Sequence, residues 1–380
     1  MSSAVVSKGI SAVQEGLSHI GLSEKQQVLT VTSEDKKESS YPEYLPIWDK
    51  TIPQQPAYTK VPYDDRALYA DTSLPTLLPT LKLASKEISL KEISPKFGTV
   101  VTGVQLTDLV DNPKAKDELA SLIAQRGVLV FHNQENFFKL GPDKLKEFIS
   151  YYGVPHEHPT SGNLKGHPEF HNIYKSGTFN PERLYGLTSR TTSTAWHSDV
   201  TYEEQPPSYS LIAMVNTPPS GGDTIFADTR EAYNRLSDGF KERLHGLKAS
   251  HSAHEQAAFA LKAGGVVRRA PVINYHPIVR QHPVTKRKSI YVNHQFTREI
   301  EGYKREESSA LLDFLYSHVG TSVDYQIRVN WKQFSVVFWD NRIAIHSAIS
   351  DFDPKGHTRH AFRLMVRGEV PVEGDLDEAE

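Results

Sequence analysis

The chain has 380 residues, 23% of them charged, and a formal net charge of -3, so it carries no field that would draw nucleic acid or a membrane surface. Cysteine is absent, which excludes disulfides, thiolate-bound zinc, iron–sulfur clusters and thiol catalysis, and leaves histidine and carboxylates as the metal ligands. No run reaches membrane-spanning length, and the N-terminus lacks the basic start and apolar core of a secretory signal, so a soluble cytoplasmic protein is expected.

Residues 1–40 are rich in Ser, Lys, Glu and Gln and predict a largely disordered tail, with an amphipathic turn or two around Val13–Leu22. Residues 41–81 hold Pro42, Pro46, Pro53, Pro56 and Pro62 among many Tyr and Asp, which suits an extended arm wrapped over a folded body. The body runs from 82 to 370, and an acidic tail occupies 371–380.

Within the body, the β-branched alternation of Gly98–Val104 predicts a strand, and Asp111-Asn112-Pro113 starts a helix that ends at Arg126 before Gly127. Val128–Phe131 reads as a short buried strand, and a second helix covers Pro142–Tyr152. Residues 176–195 form a Ser/Thr/Gly-rich loop that reads equally as a lid or as plain surface. Strands follow at Ser210–Asn216 and Asp223–Phe226, joined by a Pro/Gly turn, and Asp228 with Glu231 resembles a capping box. Helices are expected over 229–245 and 305–318, and further strands over Ser289–Asn293, Tyr325–Asn330, Phe334–Trp339 and His360–Val366. Many short strands with Gly/Pro turns and a few outer helices indicate a mainly β jelly roll or barrel.

Trp196-His197-Ser198-Asp199 carries the chemistry. As a strand over 196–202 it would point His197 and Asp199 to one face and Ser198 to the other. A third ligand must come from elsewhere, and His346 follows the strand-like run that a closed sheet folds back against this segment. Two histidines and one carboxylate, with the opposite positions open, suit a non-haem Fe(II) oxygenase. Among 17 histidines a chance His-x-Asp is unremarkable, so the surrounding sequence has to give the pair its weight.

Arg359 and Arg363 lie four apart and share a strand face with Ala361 and Met365. Adjacent guanidiniums repel unless anions separate them, and arginine forks match carboxylates and other oxyanions. The competing reading is a structural ion pair of one of them with Asp340 or Asp351. His158, just before a proline, is as readily a core hydrogen-bonding group as a substrate contact.

The run Trp196–Tyr202, Pro206-Pro207, Gly221-Gly222-Asp223-Thr224, Trp339-Asp340-Asn341-Arg342, His346 and Arg359–Arg363 closely resembles the taurine dioxygenase family of Fe(II)- and 2-oxoglutarate-dependent oxygenases. The motifs fall in the family's order across about residues 95–368, and the Pro/Tyr-rich arm resembles the fungal sulfonate dioxygenase branch. The resemblance implies a double-stranded β-helix (jelly roll), with His197, Asp199 and His346 as the iron ligands. It implies Thr224 and Arg359 at the distal carboxylate of 2-oxoglutarate, His158 and Arg363 facing a substrate sulfonate, and Trp339 near the iron. Ser161 and Ser193 stand where the family's substrate-contacting Tyr and Asn fall, which speaks against taurine itself.

The chemistry implied is oxidation by O2, with 2-oxoglutarate converted to succinate and CO2 while a small anionic substrate is hydroxylated. In that closed site the charges of Fe(II), Asp199, 2-oxoglutarate and Arg359 cancel, leaving the cation of Arg363 for a substrate anion. An aliphatic sulfonate giving aldehyde and sulfite is therefore expected. An oxygenase of an amino acid or a purine and a non-catalytic metal-binding jelly roll stay open, as does a homo-oligomer.

Overall fold

The computed structural model describes residues 27–73, 88–177, 191–353 and 356–374. The turns expected around Val13–Leu22, most of the 176–195 loop and the expected start of the body at 82 lie outside these residues.

In chain order the strands begin with β1 Val28–Thr30, β2 Ile47–Asp49, β3 Ser89–Glu92, β4 Thr99–Thr102, β5 Val128–Phe131, β6 Gly162–Leu164, β7 His167–Lys175, β8 Pro207–Asn216 and β9 Thr224–Asp228. They continue with β10 Lys248–Ser252, β11 Ile273–Pro277, β12 Val279–Gln281, β13 Lys288–Ile290, β14 Thr297–Ile300, β15 Gln326–Val329, β16 Val336–Asp340, β17 Ala344–Ala348 and β18 Arg359–Arg367. A ten-stranded sheet in the order β1-β2-β6-β7-β18-β8-β16-β5-β4-β3 faces a three-stranded sheet, β15-β9-β17. Together they form the jelly roll.

Strand alternation builds two layers of core from the same residues. In β16, Val336 and Phe338 join one apolar cluster while Val337 and Trp339 join another. The first cluster is sealed by the helix over Pro113–Arg126 and lies outside the large sheet; the second lies between the two sheets with Phe226, Ile327 and Val329. In β18, Phe362, Leu364 and Val366 pack outward, so Arg359, Ala361 and Arg363 point inward toward the small sheet.

Helix α1, Ser33–Glu38, begins at a Thr32 capping box, and with β1 it occupies part of the segment expected to be disordered. Helix α2, Pro113–Arg126, is capped by Asn112, starts with Pro113 at its first turn and ends at Gly127. Helix α3, Glu135–Phe138, precedes α4, Gly141–Ser150. The single helix expected over 229–245 is two, α5 Thr229–Asn234 and α6 Asp238–Leu244. The Asp228 side chain caps α5 through Arg230 N, while Glu231 turns away to an ion pair with Lys96, so no capping box forms. Among the described residues, helices α7, His254–Lys262, and α8, Arg305–Thr321, follow.

The described part of the arm, residues 41–73, is tied to the body by side chains. Tyr44 stacks on Phe362 with centroids 4.7 Å apart, Arg66 pairs with Asp117 at 2.9 Å, and Asp65 meets the buried Arg342 at 2.5 Å.

Candidate active site

The segment 196–202 is not a strand. One antiparallel bridge joins His197 to His346, through His197 N to His346 O (2.9 Å) and His346 N to His197 O (2.8 Å). The chain then turns: Val200 has φ 40°, and Glu203 N donates to Val200 O at 3.0 Å. The turn is imposed by Asn341, whose Oδ1 accepts from Asp199 N at 2.7 Å while its Nδ2 donates to Asp199 O at 3.1 Å. A side chain 142 residues away overrides the local β pattern. The two side chains still converge, with His197 Nε2 3.7 Å from Asp199 Oδ1.

His346 sits on β17 of the small sheet and brings its Nε2 to 3.7 Å from the same Asp199 Oδ1. Ligand atoms of the three residues all lie within 4.8 Å of one another. His197 Nδ1 approaches the Ala195 carbonyl at 2.9 Å. A carbonyl only accepts, so Nδ1 carries the proton and the Nε2 lone pair faces the site. Burial lowers the pKa of His197, and lowers that of His346 well below the usual range with His197 and Arg363 adding to it, so both imidazoles are held neutral. Both ring nitrogens of His346 and Asp199 Oδ2 are buried without a hydrogen-bond partner. A neutral imidazole has one acceptor nitrogen, and that nitrogen of His346 together with Asp199 Oδ2 is what a metal would satisfy; the donor set of two imidazoles and one carboxylate fits Fe(II).

Two cavities meet here. One, of about 400 Å³, is walled by Arg359, Lys175, Ser193, Ser161, His171 and His197. The other, of about 580 Å³, is walled by His158, His171, His197, Asp199, Arg363 and Phe296. They share Ser161, His171 and His197 among others, so His197 borders both, while Asp199 borders only the larger and His346 lies behind the two.

Arg359 is anchored by its Nε to Gly222 O at 3.1 Å. Gly222 has φ 70°, and a Cβ there would come within 3.3 Å of the Arg359 Cδ, so the Gly221-Gly222 turn fits closely beneath the guanidinium. Thr224 starts β9, and its hydroxyl accepts from Trp331 Nε1 at 3.1 Å. Thr224 lines neither cavity.

Arg363 donates from Nη1 to Asp199 Oδ1, and its Nε is buried without a partner. Asp340 and Asp351, the competing partners considered from sequence, are engaged elsewhere: Asp340 with Arg342 and His282, and Asp351 with Gly222 N and Arg328. The Arg363 charge is therefore not isolated, as the charge count suggested, but leans on the carboxylate between the histidines. Trp339 lies behind the site, its ring 5.3 Å from that of His346 and 5.5 Å from the Arg363 Cζ. It lines neither cavity, and it packs His346 and Arg363 from behind.

His158 is buried and its Nδ1 accepts from Thr160 N and Ser161 N at 3.3 and 3.2 Å. That assigns its proton to Nε2, and burial holds its pKa well below the usual range. Ser161 Oγ is buried without a partner, whereas Ser193 Oγ accepts from Ser350 N at 3.1 Å.

Sequence reasoning missed His171. It lies on β7 directly across from Arg363 on β18, its ring is 4.1 Å from that of His158, and its Nδ1 has no partner. The alternation of His171, Ile173 and Lys175 was the available signal, obscured by the proline and charged residues at the start of the strand.

Residues 89–365 match the family described as taurine catabolism dioxygenase TauD, TfdA family. The chain is 44% identical over 346 residues to the alpha-ketoglutarate-dependent sulfonate dioxygenase of Saccharomyces cerevisiae, covering 91% of this chain and 82% of that protein. It is 37% identical over 343 residues to the alpha-ketoglutarate-dependent dioxygenase cnsM of Penicillium expansum, covering 89% and 92%. Among solved structures, a taurine dioxygenase from Burkholderia xenovorans superposes with TM-score 0.60 at 29% identity, over 75% of this chain and 91% of that one. With its jelly roll, its inward arginines and a match across most of its length, this chain belongs to the TauD, TfdA family of dioxygenases.

Proposed function

We propose that this enzyme is an Fe(II)- and 2-oxoglutarate-dependent dioxygenase that hydroxylates an aliphatic sulfonate on the carbon bearing sulfur. The observation that carries the reading is the cluster of unmet, buried ligand atoms on His346 and Asp199 between two inward arginines of β18. The names of the relatives in yeast and Penicillium support the co-substrate, and the yeast name supports the sulfonate.

His197, Asp199 and His346 would hold the metal, which when bound supplies the oxidation of 2-oxoglutarate and of the substrate C–H by O2. Arg359 would take the distal carboxylate of 2-oxoglutarate in the smaller cavity, with Thr224 behind it fixing the strand. Arg363 and the Nε2–H of His158 would hold the sulfonate, orienting its α-carbon toward the metal face. Trp339 keeps His346 and Arg363 in place by packing. The overall conversion balances: sulfonate, 2-oxoglutarate and O2 give succinate, CO2 and a 1-hydroxysulfonate, which expels sulfite and leaves an aldehyde.

Sulfite release measured beside succinate formation tests the reading, with Arg363→Ala as the comparison. The parent should release the two in equal amounts from alkanesulfonates, and Arg363→Ala should lose most of its kcat/KM. If sulfonates give no sulfite while an amino acid or a purine turns over at the same rate in both proteins, the sulfonate reading fails.

A further inference from the structure

The family match begins at residue 89, yet the cavity that holds Arg359 and His197 is also walled by Leu29 and Trp48. We propose that the N-terminal segment carrying β1 and β2 is a specificity element, in which Leu29 of the tail and Trp48 of the arm receive the apolar tail of the substrate. The inference rests on the sulfonate reading above and extends it to the class of alkanesulfonates with tails longer than two carbons.

The arm is built into the sheet. Strand β2 pairs with β6 at Ile47 and Asn163, and β1 adds beyond it with Leu29 directly across from Trp48. Cross-strand partners share a face, so one aliphatic and one aromatic side chain stand together. The indole is seated by Gly162: a Cβ there would lie 2.8 Å from Trp48 Cζ2, so a larger residue would displace the ring. The same cavity is bordered by Ala260, Ala263, Gly264 and Gly265 at the end of α7. Leu29, Trp48 and these small residues make an apolar slot.

Strand geometry decides what fills it. Arg359 pairs with Lys175 on β7, whereas Gly162 on β6 pairs with Asn172. Three residues along β7 amount to ~10 Å, and the three strand spacings from β18 to β2 to ~14 Å. A 2-oxoglutarate held at Arg359 spans only about 6 Å, from carbon–carbon bonds of about 1.5 Å, so it does not reach the arm. A sulfonate at Arg363 starts closer: Arg363 pairs with His171, which borders both cavities one residue from the Gly162 partner Asn172, so the offset along β7 falls to ~3 Å, and the ~14 Å across the strands is shared by the Arg363 and Trp48 side chains and a six-carbon tail of about 9 Å.

The test compares kcat/KM for ethane-, butane- and hexanesulfonate, read as succinate and sulfite, in the parent, Trp48→Ala, Leu29→Ala and Trp48→Phe. Each buried methylene is worth about a three- to fourfold gain, so the parent should prefer hexanesulfonate. The hexane-to-ethane ratio should fall about tenfold in Trp48→Ala and by less in Leu29→Ala. Trp48→Phe should keep most of the preference. The KM for 2-oxoglutarate should stay within about twofold in all of them, which a general loosening of the fold would not leave intact. A ratio unchanged in both alanine variants overturns the proposal. If the parent releases no sulfite from any sulfonate, the sulfonate reading fails, and the same ratio is read on alkyl sulfates, whose tails meet the same slot.

Discussion

Two buried charge clusters flank the end of β16, and they differ in one respect. In the first, Asp340 accepts from Arg342 Nε and Nη2 at 2.7 and 2.6 Å and from His282 at 2.9 Å. Arg342 reaches on to Asp65, which also accepts from Tyr209 OH at 2.6 Å and Ala67 N at 2.9 Å. None of the charged atoms of Asp340, Arg342 or Asp65 is left without a partner. In the second, His346 Nδ1 and Nε2, Asp199 Oδ2, Arg363 Nε, His171 Nδ1 and Ser161 Oγ are equally buried and have none. A buried polar atom left unpaired costs about 1–3 kcal/mol, so a fold keeps several together only where something else supplies the missing bonds. The first cluster locks the arm to the body; the second is where metal, co-substrate and substrate are proposed to bind. One motif serves both: Trp339 backs the site, Asn341 pins the Asp199 backbone, and Asp340 with Arg342 form the lock.

The largest effect that separates the clusters should come from removing the metal. Chelation should abolish succinate formation and leave the far-ultraviolet circular dichroism unchanged, and Fe(II) but not Zn(II), which has no redox chemistry, should restore turnover. A chelated protein that still forms succinate would mean that the second cluster holds no functional metal. Next in size, Arg342→Ala should cost about 3–5 kcal/mol in denaturant unfolding, since it strands two buried carboxylates. His346→Ala should cost clearly less, because it breaks no hydrogen bond of the ring. Equal losses would erase the distinction between the two regions.

Arg359→Lys should raise the KM for 2-oxoglutarate about 10- to 100-fold, the equivalent of about 1.5–3 kcal/mol for a charge-assisted bond, while leaving Fe(II) affinity unchanged. A KM equal to that of the parent would remove Arg359 from the co-substrate site. The smallest effect near neutrality is on pH. Arg342 holds the pKa of Asp340 and Asp65 below the usual carboxylate range against the opposing cost of burial. A depressed folded-state pKa stabilises above the unfolded value of about 3.9 and is lost as pH falls below it, by up to about 1.4 kcal/mol per pH unit for each group. Stability should therefore be flat above pH ~5 and fall steeply below pH ~4, with a shallower fall in Arg342→Ala. Parallel pH curves for parent and variant would show that the lock does not tune these carboxylates.

The convergence of His197, Asp199 and His346 and the inward direction of the two arginines were legible because the spacing is local or motif-like: His197 and Asp199 are two apart, and Arg359 and Arg363 lie on one alternating strand. The backbone that presents them was not. The β pattern of 196–202 gives way to a turn because Asn341, distant in sequence, bonds both polar groups of the Asp199 backbone. Trp48 and Leu29 were hidden for a related reason: the polar tail reads as disordered and the Pro-rich arm as extended without strand pairing, until β6 offers them an edge. His171 became visible only when β7 placed it opposite Arg363.

The most direct test of the central contrast is an anaerobic Fe(II) titration by calorimetry on the parent, His346→Ala and Arg342→Ala. One ion per chain should bind the parent and Arg342→Ala, and binding should be lost in His346→Ala with its fold intact. Unchanged binding in His346→Ala would contradict the account, because the buried nitrogens without partners would then not be the ones a metal fills.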